Sequence, residues 1–251
     1  MFSFEGADFR YEPYPIGFIK PVLEEDFYGA LVDSFPPLEL FEFKPEFGNK
    51  YTLSEKFHAN QYHDYIAKHA EWRELHAWVK SEAFFRSVDE MLRANFIDLD
   101  IERAHFAGST VWRWRLRELA KARWPRGDLA LRSRFEFSML PADGGYVTPH
   151  TDTPRKIITL VVSMVKNGEW RPEFGGGTEV NRAKNIRYAF NLTNRYMTFE
   201  EAEPLHAFEF GPNQCVVFVK TFNSLHCVRP MSVTGSSAMR RTLTINIEKQ
   251  E

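Results

Sequence analysis

From about Leu131 onward the chain changes rhythm, and this constrains the fold more than any other feature of the sequence. FEFSML, KIITLVVSMV, GTEV, HAFEF, CVVFV and RTLTINIE are short runs rich in β-branched and aromatic residues. Clusters of turn-forming residues (PADGGY, KNGEWRPEFGGG, GPNQ, VTGSSA) separate them. Many short strands at such intervals predict a sandwich or jelly roll. The N-terminal half reads as helical instead. Leu23, Phe27, Leu31 and Phe35 fall at near-helical spacing, and Pro36 and Pro37 end that run. Leu75, Trp78, Val79, Phe85, Val88, Met91, Leu92 and Phe96 form one apolar stripe, which predicts a single long helix over 72–96. No internal repeat or flexible linker intervenes. The expectation is a mostly β protein with α: helices over 1–130 supporting a β domain over 131–251, packed as one compact unit.

Composition adds exclusions. A net charge of −2 argues against binding polyanions through the field of the whole molecule. Two cysteines, Cys215 and Cys227, are too few for a disulfide framework and fit a reducing, cytoplasmic setting. The first residues carry acids and no apolar run, so they do not read as a signal peptide, and no stretch is apolar enough to cross a bilayer. The 23 Phe, 9 Tyr and 6 Trp predict a core of large rings and an aromatic-lined pocket.

The chemistry concentrates in three places. His150 and Asp152 are two apart, so in an extended strand they share a face and can grip one metal ion. A distant imidazole, His226 at the end of CVVFVKTFNSLH, would complete a two-histidine, one-carboxylate set with open positions. That set suits non-haem Fe(II) oxygen chemistry. Arg240 and Arg241 open the last strand and must point to opposite faces. Arg240, Thr242 and Thr244 make a polar face, while Leu243, Ile245 and Ile247 make an apolar one. A planar guanidinium on the polar side suits a carboxylate through paired charge-assisted hydrogen bonds. Arg241 is then the alternative anchor or a surface ion pair. Cys227 follows His226 and should face away from the metal. A zinc site would want closely paired cysteines, which are absent.

PHTD at 149–152, FGGGTEV at 174–180, the NQCVVF strand, LHCVRPM at 225–231 and GSSAMRRTLTINI at 235–247 come in an order that resembles the Fe(II)/2-oxoglutarate-dependent dioxygenases, in particular their prolyl-hydroxylase-like branch. The resemblance covers roughly Phe135 to Glu248. It implies a double-stranded β-helix, with His150, Asp152 and His226 on Fe(II), Arg240 on the 5-carboxylate of 2-oxoglutarate, and O2 as the third reactant. It further implies release of succinate and CO2, with hydroxylation of an unactivated C–H bond as the usual outcome. Desaturation, cyclisation or demethylation would use the same site, and a non-catalytic metal- or ligand-binding jelly roll is the alternative. An acidic residue at Asp152 argues against halogenation. Members of the branch often carry tyrosines beside the cosubstrate, but the matching places here are Leu140 and Ser163, which leaves Thr159, Ser163 or Lys156 to supply polar contacts beside Thr242.

Two further segments stand out. Residues 113–134 carry eight Arg or Lys against Glu118 and Asp128, with Trp112, Trp114 and Trp124 interleaved. This stretch is either a solvated face or a basic rim that attracts an anionic substrate. A nucleic-acid partner is disfavoured, because the second arginine of the repair branch is replaced by Asn246. Residues 181–205 interrupt the strand rhythm and are expected to form a loop at the mouth of the site. The substrate is a small molecule or a peptidyl group, no membrane is expected as a partner, and the oligomeric state is left open.

Overall fold

A computed structural model describes residues 1–101, 105–106, 130–185, 187 and 196–250. In chain order the elements are β1 (Asp8–Arg10), β2 (Ile16–Ile19), α1 (Glu25–Asp33), β3 (Glu42–Lys44), β4 (Lys50–Ser54), α2 (Ala59–Lys68), α3 (Ala70–Val79), α4 (Glu82–Ala94), β5 (His105–Phe106), β6 (Ala130–Pro141), β7 (Val147–His150), β8 (Lys156–Ser163), β9 (Thr178–Ala183), β10 (Ala202–Phe208), β11 (Cys215–Val219), β12 (His226–Val228) and β13 (Met239–Lys249). Two sheets result. The larger runs β1-β2-β11-β8-β13-β6-β4-β3, with β5 parallel to β6, and the smaller runs β10-β9-β12-β7. Apart from β5, all pairings are antiparallel, as a jelly roll requires.

The three central strands of the larger sheet show why it carries a site on one face only. Phe135 and Phe137 of β6, Ile158, Leu160 and Val162 of β8, and Leu243, Ile245 and Ile247 of β13 all enter one core. Trp72, Leu75 and Val79 of α3 and Phe84, Val88 and Leu92 of α4 fill the other side of that core. Residues of opposite parity on the same strands therefore face the gap between the sheets. Two smaller apolar clusters stand apart from this core, one holding Tyr14, Phe208 and Phe218 and the other Trp170, Phe174 and Phe210.

Several expectations need correction at the level of elements. The stripe over 72–96 belongs to two helices, because α3 ends at Val79 and Ser81 starts α4 by accepting the Phe84 N–H at 3.2 Å. A serine cap forces extended backbone at that residue, so the stripe continues in space across a break in the helix. The N-terminal segment also supplies five strands, β1 to β5, and α2, none of which shows a clear period in the sequence. Of these, β2 pairs with β11, and β4 pairs with β6, so this segment extends the larger sheet at both edges. His226 does not end the CVVFV strand. That strand stops at Val219, and His226 opens β12 in the other sheet. Both ends of the 181–205 segment are strand, in β9 and β10, while 186 and 188–195 lie outside the described residues, as do 112–129 of the basic stretch with its tryptophans. Among the described residues, no helix is long and apolar enough to cross a membrane.

Candidate metal centre and its cavity

β7 and β12 run antiparallel with His150 directly opposite His226, so the two rings meet across the smaller sheet at 4.5 Å between centroids. His150 is the last residue of β7, and Asp152 lies two residues beyond it, where the chain leaves the sheet. One ligand atom from each of His150, Asp152 and His226 falls within 4.8 Å of the others. The spacing of the sequence motif therefore becomes a converging donor set.

Hydrogen bonds fix which atoms converge. His150 Nδ1–H donates to the Thr148 carbonyl at 2.9 Å, and His226 Nδ1–H donates to the Ser224 carbonyl at 3.0 Å. Each ring is thus tied to the carbonyl two residues earlier, which leaves the Nε2 lone pair free for a metal. Burial pushes the His150 imidazole down to about 3, helped by the neighbouring His226, and burial lowers His226 as well. Both rings are consequently neutral across the physiological range, as metal ligation demands. Tyr196 stacks on His150 at 5.4 Å and Phe218 packs on His226 at 4.3 Å.

Asp152 is held on both oxygens. Lys156 Nζ donates to Oδ1 at 2.6 Å, and the Thr159 hydroxyl donates to Oδ2 at 3.0 Å. Burial alone would raise this carboxyl, but Lys156 and the two imidazoles overcome that and keep it below the usual range. The Asn246 side-chain amide lies 3.0 Å from the same hydroxyl. The facing atom is Asn246 Oδ1, so the single hydroxyl proton of Thr159 is contested between that oxygen and Asp152 Oδ2. Thr159 thus stands between Asp152 and Asn246, and by donating to Oδ2 it holds the carboxylate on the side away from Lys156.

Arg240 lies in the same cavity and is 5% exposed. Its guanidinium sits over the Phe210 ring at 4.4 Å, and Nε donates to the Gly176 carbonyl. No described carboxylate forms an ion pair with it, and burial pushes its pKa down to about 9. A buried cation without an anion is costly, and an incoming carboxylate would relieve that cost. Arg241, in contrast, pairs with Glu169 and leans over Phe35, away from the cavity. The triple glycine explains how the loop reaches Arg240. Gly176 has φ +77°, and a Cβ there would lie 3.0 Å from Met231 Sδ and 3.1 Å from Arg240 Cδ.

The cavity between the sheets is therefore lined at one end by Arg240, with Thr242 and Ser138 sharing a 2.8 Å hydrogen bond, and at the other by the metal set with Thr159 and Asn246. Thr159 and Lys156 stand at Asp152. Ser163 is committed to the carbonyls of Gly211 and Gln214, so it offers little to a cosubstrate. Cys227 donates to Glu179 Oε1 at 3.4 Å and is buried as a packed thiol. Sequence reasoning missed Asn246, Lys50, Glu136 and Tyr196. Only the register of β4, β6 and β13, and the bridge between Tyr196 and His150, bring them here.

The fold is shared with solved structures. The non-haem α-ketoglutarate-dependent epimerase SnoN from nogalamycin biosynthesis superposes with a TM-score of 0.51 at 13% identity, covering 95% of this chain and 80% of that one. A full-length Neurospora crassa protein, solved in complex with α-ketoglutarate and 5-formyluracil, gives 0.50 at 12% identity over 94% of this chain and 74% of that one. A Pseudomonas putida prolyl-4-hydroxylase aligns over 96% of this chain and 95% of its own length, with 13% identity and a TM-score of 0.49. No family model and no curated protein matches the sequence.

Proposed function

We propose that this chain, which has the double-stranded β-helix fold of the 2-oxoglutarate-dependent Fe(II) oxygenases, is an oxygenase of that kind acting on an unactivated C–H bond. One observation carries the reading: two neutral imidazoles and an ionised carboxylate, held in place as a His-Asp-His set, share a cavity with a buried arginine that has no anionic partner among the described residues. The donor set fits a ferrous ion, since two imidazoles and one carboxylate leave positions open for a chelating keto acid and O2. Bound iron would let O2 act as the oxidant, with 2-oxoglutarate giving up two electrons as it becomes succinate and CO2 and the substrate C–H bond supplying the other two. The chain's own residues do the rest. His150 and His226 present Nε2, and Asp152 lowers the ion's net charge. Thr159 and Lys156 hold Asp152 in place, and Arg240 takes the far carboxylate with Thr242 beside it. Leu140, Val161, Phe218 and Val228 form the apolar part of the wall that limits water.

In this reading residues 131–251 carry the site and 1–130 support it. Hydroxylation is the proposed outcome, and the substrate is a free small molecule. The cavity that adjoins His150 from the solvent side has a volume of about 420 Å3, within the range of small-molecule pockets.

The test is anaerobic addition of Fe(II) and then 2-oxoglutarate to the purified protein. A visible metal-to-ligand charge-transfer band is expected, and it should vanish in Asp152→Ala. Full 2-oxoglutarate turnover by Asp152→Ala, or the absence of any band in the unaltered protein, would contradict the assignment.

A further inference from the structure

The solvent-side cavity has a character of its own. His150, Val147, Lys50 and Glu136 line both cavities, so a molecule seated in the outer one abuts the metal set without entering the Arg240 end. Seven aromatic rings are strongly exposed among the described residues, and three of them, Phe47, Phe57 and Tyr196, line this one cavity. Exposed rings gathered at one concave place mark a binding surface.

The wall is built rather than incidental. Gly48, next to Phe47, has φ +80°, and a Cβ there would lie 2.1 Å from the Tyr146 carbonyl. The Tyr146 N–H donates to the Gly48 carbonyl at 3.0 Å, which locks the Phe47 turn against the start of β7. Tyr196 is held by a backbone bridge to His150. Phe57 carries the ammonium groups of Lys44 and Lys56 over its ring at 5.4 and 5.1 Å.

Charge then sets the other half of the specificity. The partly buried Glu136 is lowered, against its desolvation, by Lys50, Lys156 and Arg134. The ion pairs here fall into three groups: Lys50 with Glu136, Lys156 with Asp152, and Arg132 and Arg134 together on Glu248. The last group keeps one positive charge in excess, and Arg134, which lines the inner cavity, has its Nε buried without a hydrogen-bond partner. Of these cations Lys50 faces both cavities, and it reaches Glu136 only at 3.3 Å.

We propose that the substrate is a small molecule combining a flat unsaturated ring with an anionic group. The ring rests among Phe47, Phe57 and Tyr196, and the anion meets Lys50, with His150 marking where the C–H bond comes to the metal. The proposal rests on the oxygenase reading above but concerns side chains outside the Fe(II) and 2-oxoglutarate contacts. Offset ring packing and a charge-assisted hydrogen bond would each add selectivity.

Calorimetric titration of the anaerobic Fe(II)- and 2-oxoglutarate-loaded protein tests it, with 3-phenylpropionate, indole-3-propionate and phenyl phosphate as probes. The neutral control is 3-phenylpropionamide and the saturated-ring control is 3-cyclohexylpropionate. At least one aryl anion should bind, and 3-phenylpropionate should bind better than either control by roughly ten-fold. Lys50→Met should erase the preference for acid over amide, and Lys50→Arg should restore it. Phe57→Ala should erase the preference for the flat ring. The charge-transfer band should persist in all three variants. A band with no aryl anion bound at millimolar concentration, or equal binding of acid, amide and saturated ring, would overturn the proposal. Loss of the band in the unaltered protein would instead overturn the oxygenase reading.

Discussion

At the scale of single residues, the site depends on groups that hold other groups. Asn246 and Thr159 act on the metal set only through Asp152. Thr159→Val keeps the shape of the side chain but removes the hydroxyl, leaving one oxygen of a buried carboxylate with fewer partners. We expect weaker Fe(II) retention, by roughly ten-fold, readable as a shifted titration of the charge-transfer band. Asn246→Asp would place a second carboxylate near Asp152 and should weaken retention further. A residue on α3, apart from the metal set, adds to acid sensitivity. Burial lowers His76 to about 4, with Lys80 adding to the effect, and its Nε2 has no hydrogen-bond partner. The folded state thus binds fewer protons than the unfolded chain between pH 6.5 and 4, so stability is greatest above that window and falls as pH drops through it. His76→Phe should flatten the fall in Tm across this same range of pH. An unchanged slope would remove His76 from the account.

Elements explain what could be read directly from the sequence. Alternation along RRTLTINIE told Arg240 from Arg241, because β13 is a long central strand with one face in the core and one in the cavity. Strands β1 to β4 are three to five residues long and sit at the sheet's edges, too short for any period to emerge. The serine at 81 and the glutamate at 82 are a helix-start signal, yet the apolar stripe running across them masks the break. Ser81→Ala should cost about 1 kcal/mol of stability in a urea melt. If α3 and α4 were one helix, the change would instead be neutral. The glycine loop gives a complementary expectation. Gly176→Ala would press on Arg240 Cδ, so the concentration of 2-oxoglutarate needed for half-maximal band formation should rise several-fold, with Fe(II) binding unchanged.

Across the whole molecule, the residues that complete the site were invisible because sheet pairing brings them together from far apart in the chain. Lys50 and Glu136 meet only through the register of β4 on β6, where Ser54 faces Glu136 and Tyr51 faces Met139. The same pairing argues that residues 131–251 cannot stand alone. Leu160, Leu243 and Ile245 are fully buried, and their cover includes α3 and α4. A fragment starting at 131 is expected to aggregate or lack a cooperative thermal transition, measured by size-exclusion chromatography and circular dichroism. A soluble fragment that melts cooperatively would contradict this.

His150 and His226 face each other across a two-strand contact, while the chain between them travels through both sheets before returning. An ion gripping both imidazoles would rivet the two ends of that long excursion. Chelation should then loosen the smaller sheet while sparing the helices, and faster amide exchange at 147–150 and 226–228 would trace the seam that opens.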